Sequence, residues 1–516
     1  MGSFPTYRRY HVLQVLQCPG QTFFLGNISA HAFTAGKGLG WHPLGQPYIL
    51  RPLRRATGWG TCRATFHANI PGFHQAFVHG LEVHTHFPNR RKLRMKRVHH
   101  DPGSIVVTGI GMTTSVGTDR ETTWHAVRQG VSGVRCVEGL PGIPAGLVLG
   151  APVLDVSGPP HFIKVIDLAV RTTSEAIADA RLDLDALDSG RIGCAISAHM
   201  GDTGWFAQKY GRPDLVQREG VNWNLWLADS ACVSVAERFA LGGPRLVHST
   251  ACASGLMEVL SAVRCIQDGQ CDMMLAGSAE AFHPLFVAGF RQLRVLAEHD
   301  EPTKASRPFD KARNGFVMGE GAAMFVLERQ GHALGRGARI YAELCGGARL
   351  AEAHHETGLD TSGEAIAHLI ITALQRARFA PYDVGYISAH ATGTKLNDVA
   401  EARAIRKAFG PAADSLCVGA SKSSLGHLVN ASASVELALT ILALRDGFAP
   451  PTLNLEEQDP ECDLDCVPLV GREKRADHAL KLCCAFGGNL AAIGVRRWND
   501  ARSGFGYPAA PARKVA

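Results

Sequence analysis

The sequence has no uninterrupted apolar run long enough to cross a membrane, so no spanning helix is expected. It also lacks cysteine pairs at zinc-site spacing. Among its 14 cysteines, Cys462 and Cys466 are separated by three residues and Cys483 and Cys484 are adjacent. Neither pair has a matching second pair, so no metal site is expected and a reducing compartment is the simpler setting. Acids are nearly missing from one end. Residues 1–100 hold 13 Lys/Arg against the single acid Glu82, whereas the remaining 416 residues hold 40 basic and 46 acidic side chains. The net charge of +6 therefore belongs to one end, and the mildly acidic body argues against nucleic-acid binding. Charged residues are only 19% and hydrophobic residues 46%, the balance of a globular protein with well-buried interiors. At 516 residues the chain is too long for one small core, and two units or one duplicated domain with an extension is expected.

Residues 1–94 are rich in His, Arg, Phe and Gly and show no sustained helical or strand periodicity. Three origins are open: a start upstream of the natural one at Met95, an organelle transit peptide, or a disordered basic arm. Composition favours the first. The resulting division is an atypical extension over 1–103, two halves over 104–338 and 339–500, and a tail over 501–516.

From Ser104 onward, short β-branched runs alternate with amphipathic stretches, which predicts an α/β protein. Ile105–Ile110 precedes Thr122–Gln129, and Arg191–Ser197 precedes Asp229–Ala240. Runs at Met273–Ala276 and Ala322–Glu328 follow. A second series starts near Arg339: Ile340–Cys345, the helix-like Glu364–Ala377, the strand Val384–Ala389, the helix-like Asn397–Phe409, the strand Leu416–Gly419 and the helix-like Ser432–Leu444. Two similar halves fit a duplicated domain, although residue identity between them is too low to prove a repeat.

Chemistry concentrates at His248-Ser249-Thr250-Ala251-Cys252-Ala253-Ser254-Gly255. An apolar, turn-prone run precedes it and a helix-like run follows. Strand, turn and helix would leave the Cys252 thiol at a helix N-terminus, where the dipole and free N–H groups favour the thiolate. Such a thiol attacks a carbonyl or thioester. Downstream, Ser388-Ala389-His390-Ala391-Thr392-Gly393-Thr394 puts a histidine at a strand end in a Gly/Thr loop. Ser421-Lys422-Ser423-Ser424-Leu425-Gly426-His427 again follows a strand and leads into a helix. Ala485-Phe486-Gly487-Gly488-Asn489 carries glycines that allow close backbone approach. Singly, these read as a loop histidine, a surface lysine, a helix-capping histidine and a core aromatic. In this order and context they form one signal.

On these motifs the chain resembles the elongating β-ketoacyl-acyl-carrier-protein synthases of the thiolase-like superfamily, over about residues 104–497. Met274–Glu280, Ser306–Asp310 and Asn314–Gly321 carry further likeness. The resemblance implies a thiolase-like fold, two α/β halves in α-β-α-β-α layers, acting as a homodimer or a heterodimer. It implies an acyltransferase that joins a Cys252-bound acyl chain to a malonyl unit by decarboxylative Claisen condensation, with acyl carrier protein as partner. His390 and His427 would hold the enolate oxygen, Lys422 would fix charge around them, and Glu436 would support Lys422. The backbone N–H groups of Cys252 and Phe486 would form the oxyanion hole, with Phe486 also the gate. Thr392 and Thr394 would bind the pantetheine arm. No cofactor or metal is implied, and a cytoplasmic location is expected, with organellar import the alternative. A polyketide-type subunit working with a chain-length factor and a non-catalytic carrier-binding paralogue are the rival functions.

The chain departs from the family pattern at several positions. Ala391 stands for the usual Gly and is expected to add a methyl beside the pantetheine channel. Lys395 stands for Pro, Asn314 for Asp, and Leu490 follows Asn489 where the pattern is Gly-Gly-Thr-Asn. Leu428–Ser434 replaces a Gly/Ala-rich run. The segment His161–Asp167 is less basic than a usual carrier-docking stretch. These changes suggest a divergent paralogue in a specialised lipid or polyketide-like pathway.

Overall fold

The computed structural model describes residues 103–498, except 139, 141–142, 145, 155–162 and 199–226, together with short strands before them. Residues 1–98 are a unit of their own. In it Arg9–Cys18 pairs antiparallel with Gln21–His31 and with Arg63–Ala68. No sustained strand pattern is read there from the sequence; the strands form where Val, Leu, Phe and Thr, which favour extended backbone, are dense. The expected basic arm at Arg90–Arg97 and the tail at 501–516 lie outside the described residues.

The second unit is built on one ten-stranded sheet. Its first half holds β1 (Ile105–Thr114), β2 (Ile192–Ala198), β3 (Arg245–Leu246), β4 (Met273–Glu280) and β5 (Gly321–Arg329). Its second half holds β6 (Ala342–Ala351), β7 (Val384–Ser388), β8 (Cys417–Gly419), β9 (His478–Ala485) and β10 (Asn489–Arg497). Across the sheet the order is β3-β2-β4-β5-β1-β6-β10-β9-β7-β8. β2 runs parallel to β3 and β4, and β5 runs antiparallel to β4 and β1. β7 runs parallel to β8 and β9, and β10 antiparallel to β9 and β6. The second half thus repeats the first in order and polarity, and β1 and β6 join the halves through pairs such as Ile105 and Leu344. The duplication that residue identity leaves unproven is plain in the topology.

It extends to local detail. In the first half a 3-10 turn, Ala251–Ala253, leads into a helix at Ser254; in the second, Val429–Ala431 leads into a helix at Ser432. Ala251 and Val429 both have positive φ, +48° and +39°. The same 178-residue offset takes Ala251 to Val429, Ser254 to Ser432 and Glu258 to Glu436.

Helices α1 (Lys164–Asp179) and α2 (Ser230–Arg238) cover the outer face of the first half. Helix α3 (Ser254–Gln267) packs on β2 and β4 and also on β10. Helices α4 (Glu364–Ala377) and α5 (Lys395–Phe409) pack together, α4 against β6 and β10 on the outer side of the second half. Helix α6 (Ser432–Asp446) packs on α3, β9, β10 and β5. The result is the α-β-α-β-α layering, with α3 and α6 in the middle. Their sequences fit that place: every residue of α6 from Ser432 to Leu444 is buried, as expected of a helix with no polar face. Strand β1 is buried along its whole length, as a strand covered on both faces must be.

Candidate active site

The ends of β3, β7, β8 and β9 converge at the seam between the halves, and each delivers one motif. Cys252 sits in the turn that opens α3 and is 7% exposed. His390 follows β7, His427 follows the short turn after β8, and Phe486 follows β9. Ligands collect at the C-terminal ends of parallel strands because chain reversals there leave a crevice. His427 is clamped by its backbone: its N–H donates to the Val317 carbonyl at 2.6 Å and its carbonyl accepts from the Gly319 N–H at 2.9 Å. Gly426, at φ +70°, makes that reversal; a Cβ there would stand 2.9 Å from the Val317 and Met318 carbonyl oxygens.

The reactive groups meet closely. Cys252 Sγ lies 3.0 Å from His427 Nε2, and the imidazoles of His390 and His427 stand edge to face at 5.3 Å. Potential ligand atoms of Cys252, His390 and His427 all lie within 4.8 Å of one another. Lys422 Nζ is 3.4 Å from His390 Nδ1 and donates to the His390 carbonyl at 2.5 Å and to Glu436 Oε1 at 2.5 Å. Because the ammonium has no lone pair, His390 Nδ1 faces it as an acceptor and the ring proton belongs on Nε2.

Electrostatics refine the sequence reading. Burial pushes the Cys252 thiol up to about 12, against the opposing pull of Lys422 and of its own backbone N–H. The helix terminus is expected to favour the thiolate; burial acts in the opposite direction and is the largest influence on this group. Burial first, then Lys422, His427 and Lys481, hold His390 well below the usual imidazole range, so it is neutral.

Cys252, His390 and His427 line a cavity of about 590 Å³ together with Thr392, Thr394 and Phe486. The two threonine hydroxyls are 2.9 Å apart. Aromatic rings form its other wall. Phe486 is 6.5 Å from Phe290, Phe290 is 5.3 Å from Phe316, and Phe316 is 5.1 Å from His427. The Phe486 loop is held by Gly488, at φ +69°, where a Cβ would sit 1.9 Å from the Glu352 carbonyl oxygen.

The departures from the family pattern find places. Ala391 does not face the channel: it is fully buried in the apolar cluster of the second half, so the expected methyl beside the pantetheine path is corrected. It takes φ +42°, the left-handed region where glycine is unstrained. Lys395 is exposed on the cavity rim. Asn314 donates to the Glu298 carbonyl at 3.0 Å, and Leu490 is core. Lys164, the lysine of the segment 161–167, is spent on Glu320.

Four residues at the site escape sequence reasoning. Glu401 on α5 accepts the His390 N–H at 2.5 Å and the Ala391 N–H at 2.8 Å, and burial pushes it up to about 7 against those two bonds. Lys481 on β9 is fully buried with Nζ 2.7 Å from Glu436 Oε2. Cys483 Sγ donates to the Cys252 carbonyl at 3.0 Å. Ser432 Oγ lies 2.7 Å from His427 Nδ1. A lysine in an otherwise apolar strand, Ala479–Ala485, was the one available signal.

Comparison with known proteins follows this geometry. The β-ketoacyl synthase N-terminal domain matches residues 164–333 and the C-terminal domain residues 341–456. The ketoacyl synthase alpha subunit of the tetracenomycin polyketide synthase from Streptomyces glaucescens is 36% identical over 426 residues, covering 78% of this chain and 99% of the relative. 3-Oxoacyl-[acyl-carrier-protein] synthase 2 of Coxiella burnetii is 35% identical over 411 residues, covering 77% and 99%. A type II polyketide ketosynthase solved in complex with its acyl-carrier protein and bound to the hexaketide superposes with TM-score 0.70 at 32% identity, covering 77% of this chain and 100% of its own. A β-ketoacyl synthase from Burkholderia phymatum gives TM-score 0.71 at 30% identity with the same coverage. Ketoacyl synthases of this family need no cofactor, and among the described residues no helix is long and apolar enough to cross a membrane. With both family domains present and relatives aligned over nearly their full length, the chain belongs to the β-ketoacyl synthase family, acyltransferases of the condensing type with a thiolase-like fold.

Proposed function

We propose that this synthase elongates an acyl chain delivered by an acyl carrier protein, with Cys252 as nucleophile and malonyl-carrier as extender. The observation that carries the assignment is the 3.0 Å contact of Cys252 Sγ with His427 Nε2, in a cavity that also holds His390 beside Lys422. In the first half-reaction the Cys252 sulfur attacks the acyl-carrier thioester. Its proton passes to His427 Nε2 and on to the departing carrier thiolate, which leaves as the thiol. No standing thiolate is required, because proton and bond move together.

In the second half-reaction malonyl-carrier loses CO2. The electron pair of the broken C–C bond moves onto the thioester oxygen as an enolate, stabilised by N–H donors on Nε2 of His390 and His427. The enolate carbon attacks the Cys252 thioester. The tetrahedral oxyanion is held by the backbone N–H groups of Cys252 and Phe486, and its collapse expels Cys252 as the thiolate, which takes up one proton from solvent and returns to the thiol as the 3-oxoacyl-carrier departs. Lys422, steadied by Glu436, keeps His390 in the Nε2–H form. Thr392 and Thr394 hold the pantetheine arm, and Phe486 gates it. The division of labour is a nucleophile-bearing half, residues 104–338, and an imidazole-bearing half, 339–500.

We propose that the enzyme works in the cytoplasm as a homodimer. A second reading makes it the catalytic subunit of a pair with a chain-length factor. The relatedness at 36% identity to a polyketide ketoacyl synthase alpha subunit and at 37% to a polyketide β-ketoacyl synthase 1 favours that reading, as does likeness at TM-score 0.70 to the ishigamide ketosynthase/chain length factor structure. Intact-mass spectrometry of enzyme and carrier after mixing with acyl-carrier and malonyl-carrier tests both. A Cys252-dependent acyl-enzyme and a carrier-bound product two carbons longer support the first reading. An acyl-enzyme that condenses only when a partner subunit is added supports the second. No acyl-enzyme with any carrier favours a carrier-binding scaffold.

A further inference from the structure

Each middle helix holds the reactive loop of its own half at two places one turn apart. In the second half these are Ser432 and Glu436: Ser432 Oγ lies 2.7 Å from His427 Nδ1, and Glu436 Oε1 takes Lys422 Nζ at 2.5 Å. The 178-residue offset puts Ser254 and Glu258 at the same two places on α3. Ser254 Oγ accepts the Thr250 N–H at 2.9 Å and donates to the Ala251 carbonyl at 2.8 Å. Glu258 Oε1 accepts the His248 N–H at 2.5 Å, and Oε2 lies 2.8 Å from His248 Nδ1. A carboxylate only accepts, so Nδ1 carries a proton there. Neither Glu258 nor His248 lines the cavity of the reactive groups.

We propose that Glu258 is a positioning residue for the nucleophile, holding the Cys252 turn through His248 as Glu436 holds Lys422 in the other half. Cys252 directly follows Ala251, whose φ of +48° is a conformation that residues with a Cβ seldom take. Such a turn keeps its shape only where surrounding bonds over-determine it. Glu258 supplies two of those bonds. It is fully buried on a helix that packs against strands of both halves. A carboxylate so placed needs partners for its oxygens, and both find them on the one residue His248. The hook is braced from the second half: His248 Nε2 lies 3.3 Å from Ser261 Oγ, which accepts from Arg349 Nη1 of β6 at 3.2 Å. The turn that carries the sulfur is thus tied to α3 and, through α3, to the strand that joins the halves. Release of the hook lets the turn drift and lengthens the 3.0 Å contact of Cys252 Sγ with His427 Nε2. Misplacing a reacting group by about 1 Å can cost about 100-fold in rate. The proposal rests on the roles given above to Cys252, His390 and His427.

The test measures two reactions by intact mass in the full-length enzyme: acylation of Cys252 by acyl-carrier, and conversion of malonyl-carrier to acetyl-carrier without an acyl donor. The second is decarboxylation alone, which uses His390 and His427 and spares Cys252. Glu258→Met fills a similar space without acceptors. It should slow acylation at saturating acyl-carrier about 10-fold, with the KM for the carrier and the decarboxylation rate unchanged. Glu258→Gln should restore acylation. Its carbonyl takes the His248 N–H, and its amide donates to Nδ1 once the ring proton sits on Nε2 beside Ser261. The His248 side chain is 30% exposed, so water carries that exchange. A Glu258→Met enzyme that acylates like wild type overturns the proposal. So does an equal fall in decarboxylation, or a Glu258→Gln enzyme as slow as Glu258→Met. If Glu258→Met does not fold, His248→Ala decides, because it removes one of the two bonds: acylation about 3-fold slower supports the proposal, and an unchanged rate overturns it. Absence of a Cys252-dependent acyl-enzyme in wild type would instead sink the underlying assignment.

Discussion

Lys481 Nζ sits 2.7 Å from Glu436 Oε2 while Lys422 takes Oε1, so one buried carboxylate is shared by two buried lysines. The surplus positive charge lies behind His390. Lys481 also reaches the Ala389 carbonyl at 3.2 Å, the residue before that histidine. Removing Lys481 as Lys481→Met leaves Glu436 a single partner and takes away one of the cations that depress His390. The His390 value then rises toward the ordinary imidazole range. The acid limb of malonyl-carrier decarboxylation should therefore move to higher pH, which a pH–rate profile checks.

Lys422→Met separates the two half-reactions. Cys252 and His427 keep their contact, so the acyl-enzyme still forms. His390 loses the cation that sets its tautomer, and condensation should fall by about 100-fold. Single-turnover assays on preformed acyl-enzyme measure this directly, and equal losses in both steps would contradict the assignment.

Glu401 predicts a signature in stability. Its carboxyl has an ordinary value of 4.5 and is pushed by burial up to about 7 in the fold. Its contribution is present in full below 4.5 and is lost as pH rises to about 7, because the unfolded chain gives up the proton first. Glu401→Gln removes that dependence. The melting temperature of the variant should change less than that of wild type between pH 4.5 and 7, as differential scanning fluorimetry would show.

Gly488→Ala tests the gate. The added Cβ meets the Glu352 carbonyl oxygen at 1.9 Å on a backbone with φ +69°. The Phe486 loop must shift, at a cost of about 2 kcal/mol. Condensation should fall with little change in Cys252 reactivity toward a small alkylating agent, readable by mass spectrometry.

That Cys252, His390 and His427 come together was legible because each lies in a short motif at the end of a strand, where local sequence reports local geometry. The α/β alternation was legible for the same reason; helix α4, for example, occupies the predicted Glu364–Ala377. What stayed hidden depends on distant contacts. Glu401 caps His390 only because α5 folds back over the loop after β7. Lys481 and Glu436 belong to β9 and α6, and nothing in either segment names the other. Strands β9 and β10 escaped notice because their small and cysteine-rich runs lack the β-branched signature. The burial that works against the thiolate at Cys252 is encoded in no motif. Ala391 was misplaced because a one-letter change says nothing about which way its methyl turns.

The 178-residue repeat has a mechanical consequence. The turn that carries Cys252 and the turn that carries Asn430 are copies of one another, one from each half, and each packs against strands of the other half. The Cys252 sulfur belongs to the first half, and the His427 nitrogen that meets it belongs to the second. The two halves also share one interior: the apolar cluster around Cys252 and Leu256 takes in Leu437, Cys483 and Ile493 of the second half, so the 3.0 Å gap between Cys252 and His427 is held by packing common to both.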